Sequence, residues 1–142
     1  LKMRTTLIEV APHDRRLPFL AGYLPLYHSD ACMGMRFDLG GKTVTYLPDT
    51  GVCANAIRLA MNADLVIAEC AMKVGVGSKD WPHLNPKTAA QIAKRAGAKR
   101  LVLVHFDAEI YRTIGDRMAA GKSARKIFKR TTTTIDDQEV IL

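Results

Sequence analysis

Hydrophobic and polar positions alternate most cleanly on either side of a glycine pair. Met33, Met35, Phe37 and Leu39 fall on one face of the stretch from Met33 to Leu39, the period of two expected of a half-buried strand. Gly40-Gly41 follows, and Lys42 to Leu47 returns as a second β-rich run. This pattern predicts a hairpin closed on two glycines. The returning strand reads T-V-T-Y-L-P-D-T from Thr43 to Thr50, so it stops at a carboxylate, Asp49. A helix is expected over Val52 to Asn62, with Ala54, Ile57, Leu59, Ala60 and Met61 on its apolar side. Leu65-Val66-Ile67-Ala68 is a continuous apolar run, the mark of a strand covered on both faces, and Glu69 stands at its end.

The strand and helix pattern then repeats. Asn85-Pro86 is positioned to cap and start a helix over Lys87 to Ala96, with Gly97 ending it. Leu101-Val102-Leu103-Val104 is a second buried strand, and His105 closes it. Upstream, Thr5 to Val10 reads as a strand and Ala11 to Pro18 as a loop holding a surface histidine, His13. Leu20 to Tyr27 reads as irregular at first and then extended from Leu24, with His28 at its end. From Ala108 onward a basic helix is expected, interrupted by Gly121, followed by short strands at Thr131 to Thr134 and Val140 to Leu142 around an Asp136-Asp137 turn. The fold class is α/β, in a single region spanning residues 1–142.

Composition adds little to this frame. The chain has 48% hydrophobic and 25% charged residues, which is ordinary for a globular protein. It has no apolar run long enough for a membrane span and no leader-like start, so a cytoplasmic location is the expectation. The net charge of +7 favours phosphate-rich partners such as RNA, although many basic proteins bind none. Cys32, Cys53 and Cys70 lack C-x-x-C spacing and sit among apolar neighbours, so they read as buried structural thiols in a reducing compartment.

The chemistry lies in the repeated placement. His28, Asp49 and His105 each close an expected strand, and the ends of strands in one sheet are where open α/β folds assemble their sites. Two imidazoles and a carboxylate suit Zn²⁺ or a similar ion. Glu69 ends a neighbouring strand, and His83 precedes a helix start in a loop that also carries the single tryptophan, Trp81.

These residues also carry a resemblance. Leu26-Tyr27-His28-Ser29, followed by Met33-Gly34-Met35-Arg36-Phe37, resembles a ligand histidine and the strand after it in the ribonuclease Z-like branch of the metallo-β-lactamase superfamily. Tyr46-Leu47-Pro48-Asp49-Thr50 resembles that branch's S-G-D-T turn, and Ala68-Glu69-Cys70-Ala71 its H-E-A segment. His83-Leu84-Asn85-Pro86 with Ala89-Ala90-Gln91-Ile92-Ala93 is similar to its H-S-T helix entrance, and Leu101 to Phe106 to its terminal L-x-L-T-H-F strand.

The resemblance implies the C-terminal half of an αββα sandwich. It implies two divalent ions, zinc first with manganese or iron as alternatives. By this resemblance His28 would bind one ion, Asp49 would bridge both and His105 would bind the other. It likewise implies that His83 would stand over the scissile phosphate as proton donor or charge stabiliser, with Glu69 behind it, and that the ions would supply a shared hydroxide to attack phosphorus. The implied substrate is a phosphodiester or RNA, and the implied assembly is a homodimer. Two departures accompany it. The family's H-x-H-x-D-H motif is absent from the 142 residues, so its ligands would come from an N-terminal half in the same or another chain. The strand from Met33 to Leu39 also returns at once through Gly40-Gly41, where transfer-RNA-processing members usually insert a long arm. Two other readings stay open: a non-catalytic half-domain that pairs with a partner chain and binds RNA, and a hydrolase of a small non-nucleic-acid ester.

Overall fold

A computed structural model describes residues 17–142 together with Leu7 and Glu9. The strand expected over Thr5 to Val10, and His13 with most of its loop, lie outside the described residues. A six-stranded sheet runs in the order β1 (Leu20–Pro25), β2 (Met33–Leu39), β3 (Lys42–Leu47), β4 (Leu65–Glu69), β5 (Leu101–Val104) and β6 (Thr131–Thr133). The first three strands pair antiparallel, and β3 to β6 pair parallel. β1 therefore runs in the same direction as β3, and β1, β3, β4 and β5 all finish at one edge.

The hairpin forms as expected. Gly40 and Gly41 both adopt positive φ, 62° and 79°, which a tight two-residue turn requires and side-chain-bearing residues resist. The Asp38 carboxylate also accepts the Gly41 amide at 3.0 Å.

Three helices supply the parallel crossovers: α1 (Ala54–Ala60), α2 (Pro86–Arg95) and α3 (Ile114–Arg125). All three pack on the sheet face that carries Leu47, Val66, Ala68, Leu101 and Leu103. α2 presents Ala89, Ala90, Ile92 and Ala93 to that face, and small side chains let its backbone approach the strands closely. Asn85 caps α2 through hydrogen bonds from the Lys87 and Thr88 amides, and Gly97 leaves the helix end at φ 65°.

The other sheet face is thinly covered. Val44, Leu65 and Val102 form a small cluster with Phe37, Ile67, Val104 and Val140 against it. The double cover expected for β4 is thus complete on one face only among the described residues.

Several expectations need correction. The extended piece before His28 begins earlier, as β1, because Leu20 to Pro25 pairs with β2. Helix α1 is shorter than expected, since Cys53 is extended and Met61 leaves the helical region. Residues 108–113 are not helical. The Asp107 carboxylate instead accepts the Glu109 and Ile110 amides as a turn, and α3 starts only after Thr113, which forms a reciprocal cap with Asp116. Gly121 does not interrupt α3. It lies buried inside the helix, where a Cβ would collide with the Thr133 side chain, so glycine is there for close approach to β6. Val140 to Leu142 is not a strand. Val140 packs on the second face while Arg100 Nη1 holds the Ile141 carbonyl.

Candidate metal-binding hydrolytic site

The common edge of β1, β3, β4 and β5 gathers the residues singled out in the sequence. Glu69 is the last residue of β4, and His105 directly follows β5. Asp49 lies two residues past β3, and His28 three past β1, in a bend rather than at a strand end. His83 comes from the loop before α2. One ligand atom each from His28, Asp49 and His83 lie within 4.8 Å of one another. His105 joins from the side, with Nε2 3.2 Å from Asp49 Oδ1. It does so from a left-handed backbone at φ 50°, uncommon for a residue with a side chain and frequent at functional positions.

Behind the cluster, Glu69 is fully buried and organises the loops. Its Oε1 accepts the Thr50 amide at 2.9 Å, the Leu84 amide at 3.0 Å and His83 Nδ1 at 2.8 Å. Its Oε2 accepts the Ala71 amide at 2.8 Å. One carboxylate thus ties the segment after β3, its own strand end and the loop before α2. The Nδ1 contact sets the His83 tautomer, with the proton on the Glu69 side and Nε2 turned to the site. Thr50 completes the brace, since its hydroxyl reaches the Gly51 carbonyl at 2.8 Å.

The imidazoles pack among rings. His83 lies 5.0 Å from His28 at 67°, 6.1 Å from His105 at 30° and 4.6 Å from Trp81 at 87°. Asp49's charge is felt nearby. Burial and then the Asp49 carboxylate push the Cys32 thiol and the Tyr46 phenol above their ordinary pKa values. Of the cysteines, only Cys70 is fully buried, whereas Cys32 and Cys53 are partly exposed. Burial drives the Cys70 thiol up to about 12.

The residues fit a divalent cation. His28 Nε2 and His83 Nε2 are buried and lack a hydrogen-bond partner within the protein, and both belong to residues that converge with the Asp49 carboxylate. Two imidazoles and a carboxylate match the donor set of zinc sites. Binding through His28 Nε2 places the ring proton on Nδ1, which gives up that atom's long 3.4 Å contact from the Asp30 amide. Sequence reasoning passed over Trp81, Tyr27 and Cys32 as contributors to this edge. Trp81 and Tyr27 sit within two residues of His83 and His28, and that closeness was the available signal.

Residues 8–106 match the model of the beta-lactamase superfamily domain. The chain belongs to the metallo-β-lactamase superfamily. Its relatives place it on the ribonuclease Z-like branch. It is 35% identical over 89 residues to a probable metallo-hydrolase, YhfI, of Bacillus subtilis, covering 63% of this chain and 36% of that protein. It is 35% identical over 98 residues to ribonuclease Z of Geobacillus kaustophilus, covering 68% and 31%. Among solved structures, B. subtilis YhfI matches with a TM-score of 0.68 at 31% identity, over 78% of this chain and 44% of that one. The short form of human tRNase Z matches with a TM-score of 0.62 at 26% identity, over 82% and 40%. The chain therefore spans about a third of the length of these curated relatives (36% and 31%).

Proposed function

We propose that this chain forms the Asp49-centred part of a metal-dependent hydrolase acting on phosphodiesters, in the manner of ribonuclease Z. The observation that carries the reading is the convergence of His28, Asp49 and His83 within 4.8 Å, with His105 on Asp49. Similarity to YhfI and to ribonucleases Z supports the reaction class.

In this reading His28 and His105 would each hold a divalent ion, with Asp49 as their shared ligand, and zinc, manganese or iron would suit these donors. Divalent ions in such a site polarise the phosphoryl group and acidify water. His83 has two conceivable roles, which differ by one proton at Nε2: bare, it is a ligand, and protonated, it is an acid. We assign it the acid role. Glu69, 2.8 Å from Nδ1, stabilises the positive ring and aims it, so that Nε2 can protonate the leaving oxygen. The remaining ligands come from an H-x-H-x-D-H segment, which these 142 residues lack, in the same or another chain.

The test is metal analysis with bis(p-nitrophenyl) phosphate hydrolysis on the whole protein that carries this chain. Turnover should be lost to a chelator and restored by zinc or manganese. Absence of both metal and turnover, with the H-x-H-x-D-H segment present, would sink the proposal.

One observation favours a second reading, an RNA-binding partner half. At the opposite edge of the sheet, Lys42, Lys99, Arg100, Lys129 and Arg130 surround two adjoining concavities, opposed by the Asp64 carboxylate. Salt-sensitive RNA binding that survives Asp49→Ala, without hydrolysis in the whole metal-loaded protein, would favour it over the enzyme.

A further inference from the structure

The turn that carries His105 and the segment that follows Glu69 are joined through the phenol of Tyr111. After β5 the chain doubles back, because the Asp107 carbonyl accepts the Ile110 amide at 3.2 Å and the Tyr111 amide at 2.7 Å. The Phe106 and Tyr111 rings meet edge to face, with centroids 4.9 Å apart. Tyr111 is thereby returned to the core between sheet and helices, where it is 3% exposed. There its hydroxyl donates to the Met72 carbonyl at 2.7 Å. A carbonyl only accepts, so the phenol proton is taken up there, and the Cys70 thiol 3.8 Å away is left to donate to the phenol oxygen.

Met72 is tied in turn to the loop before α2. Its amide donates to the Leu84 carbonyl at 3.0 Å, and the Leu84 amide donates to Glu69 Oε1 at 3.0 Å. The same Oε1 holds His83 Nδ1 at 2.8 Å. A continuous path of hydrogen bonds thus runs from the His105 turn through Tyr111, Met72 and Leu84 to the Glu69–His83 pair. At its far end the His83 and His105 rings lie 6.1 Å apart, inclined by 30°. Tyr111, Cys70 and Leu84 all belong to the core on the helical side of the sheet, so these contacts do not depend on what packs on the other face.

We infer that the Tyr111 hydroxyl is a positioning group, which sets where the His83 imidazole stands relative to His105. This rests on the acid role proposed above for His83. Tyr111 touches no reacting atom and acts through Met72, Leu84 and Glu69. In the reaction, His83 Nε2 gives its proton to the leaving oxygen as the phosphorus–oxygen bond breaks. That transfer demands a donor in hydrogen-bond reach, and a misplacement of about 1 Å costs on the order of 100-fold. Tyr111→Phe keeps the ring that packs on Phe106 and lies 5.5 Å from the Lys73 ammonium, and removes only the hydroxyl.

Dependence on the leaving group reads this directly in the whole protein that carries the chain. p-Nitrophenolate leaves without a proton, whereas phenolate needs one. Tyr111→Phe should therefore lower kcat on diphenyl phosphate about tenfold more than on bis(p-nitrophenyl) phosphate, with KM unchanged for both. Cys70→Ala loosens the same core but keeps the Tyr111–Met72 bond, so it should lower the melting temperature and leave the ratio of the two kcat values as in the wild type. Equal losses on both esters in Tyr111→Phe, or the same shift of ratio in Cys70→Ala, would overturn positioning in favour of plain stabilisation. A second readout needs no turnover. The downfield proton NMR line of His83 Nδ1–H, identified by its absence in His83→Gln, should be lost to exchange with water in Tyr111→Phe, and an unchanged line overturns the inference. Loss of that line in a protein whose wild type hydrolyses neither ester would keep the positioning and remove the reaction instead.

Discussion

At the scale of single residues, the centre of the edge is a carboxylate that never faces the site. Glu69 accepts from three backbone amides and His83 Nδ1. An amide in its place must turn an N–H toward one of these donors. Glu69→Gln should therefore destabilise the fold by about 2–3 kcal/mol, read as a lower denaturation midpoint. It should also cost roughly 10–100-fold in activity, as losing the partner behind a site imidazole does. An unchanged midpoint would contradict the bracing role. Cys70 gives a second residue-level test. Its Sγ lies 3.8 Å from the Tyr111 hydroxyl in the core, and burial holds the thiol at about 12. Iodoacetamide at pH 8 should leave Cys70 unlabelled in the folded protein and alkylate it in denaturant. Asp49, Glu69 and His105 were legible in the sequence because buried apolar runs lead directly into them. His28 was less so, since Pro25 ends its strand three residues early.

At the scale of elements, α3 shows where one sequence signal misleads. Gly121 reads as a helix breaker, yet it occupies the contact with β6. Gly121→Ala raises helix propensity by about 1 kcal/mol, but the added methyl meets Thr133, and overpacking costs about 1–3 kcal/mol. The variant should be less stable by roughly 1 kcal/mol, and Gly121→Ala with Thr133→Ala should recover the loss. A helix gain without loss would refute the contact.

The start of α3 depends on Asp116, which accepts from Thr113 and pairs with Lys73 Nζ at 2.9 Å. The Lys73 hydrogen bond, followed by those from Thr113, holds its pKa below the ordinary carboxylate value. A depressed pKa contributes stability above the unfolded value that is lost as pH falls through the folded one. The stability difference between the wild type and Asp116→Asn should therefore be present at pH 7 and vanish in acid below the carboxylate range. A difference that persists there would assign it to packing. The cap itself was not legible, because Thr113 and Asp116 fall in a polar stretch that reads equally well as helix interior.

At the scale of the whole molecule, the strand order and the single helical layer follow from a regular strand and helix alternation, which is why the fold class could be read directly. The chain's place within a larger assembly could not be read from its elements. The face carrying Val44, Leu65 and Val102 has no helical layer among the described residues. The ligand set lacks H-x-H-x-D-H, and the matched stretches cover only 36% and 31% of the relatives. These observations fit the proposal that a second half packs on that face and completes the site.

The central claim remains that His28, Asp49 and His105 assemble a cation site at one sheet edge, with His83 beside it. Its most direct test is a calorimetric zinc titration of the whole protein that carries this chain and of its Asp49→Ala variant. The account predicts saturable binding to the wild type and at least about 100-fold weaker binding to the variant, with the metal-free melting temperatures unchanged. No saturable binding to the wild type, or equal affinity in both, would contradict it.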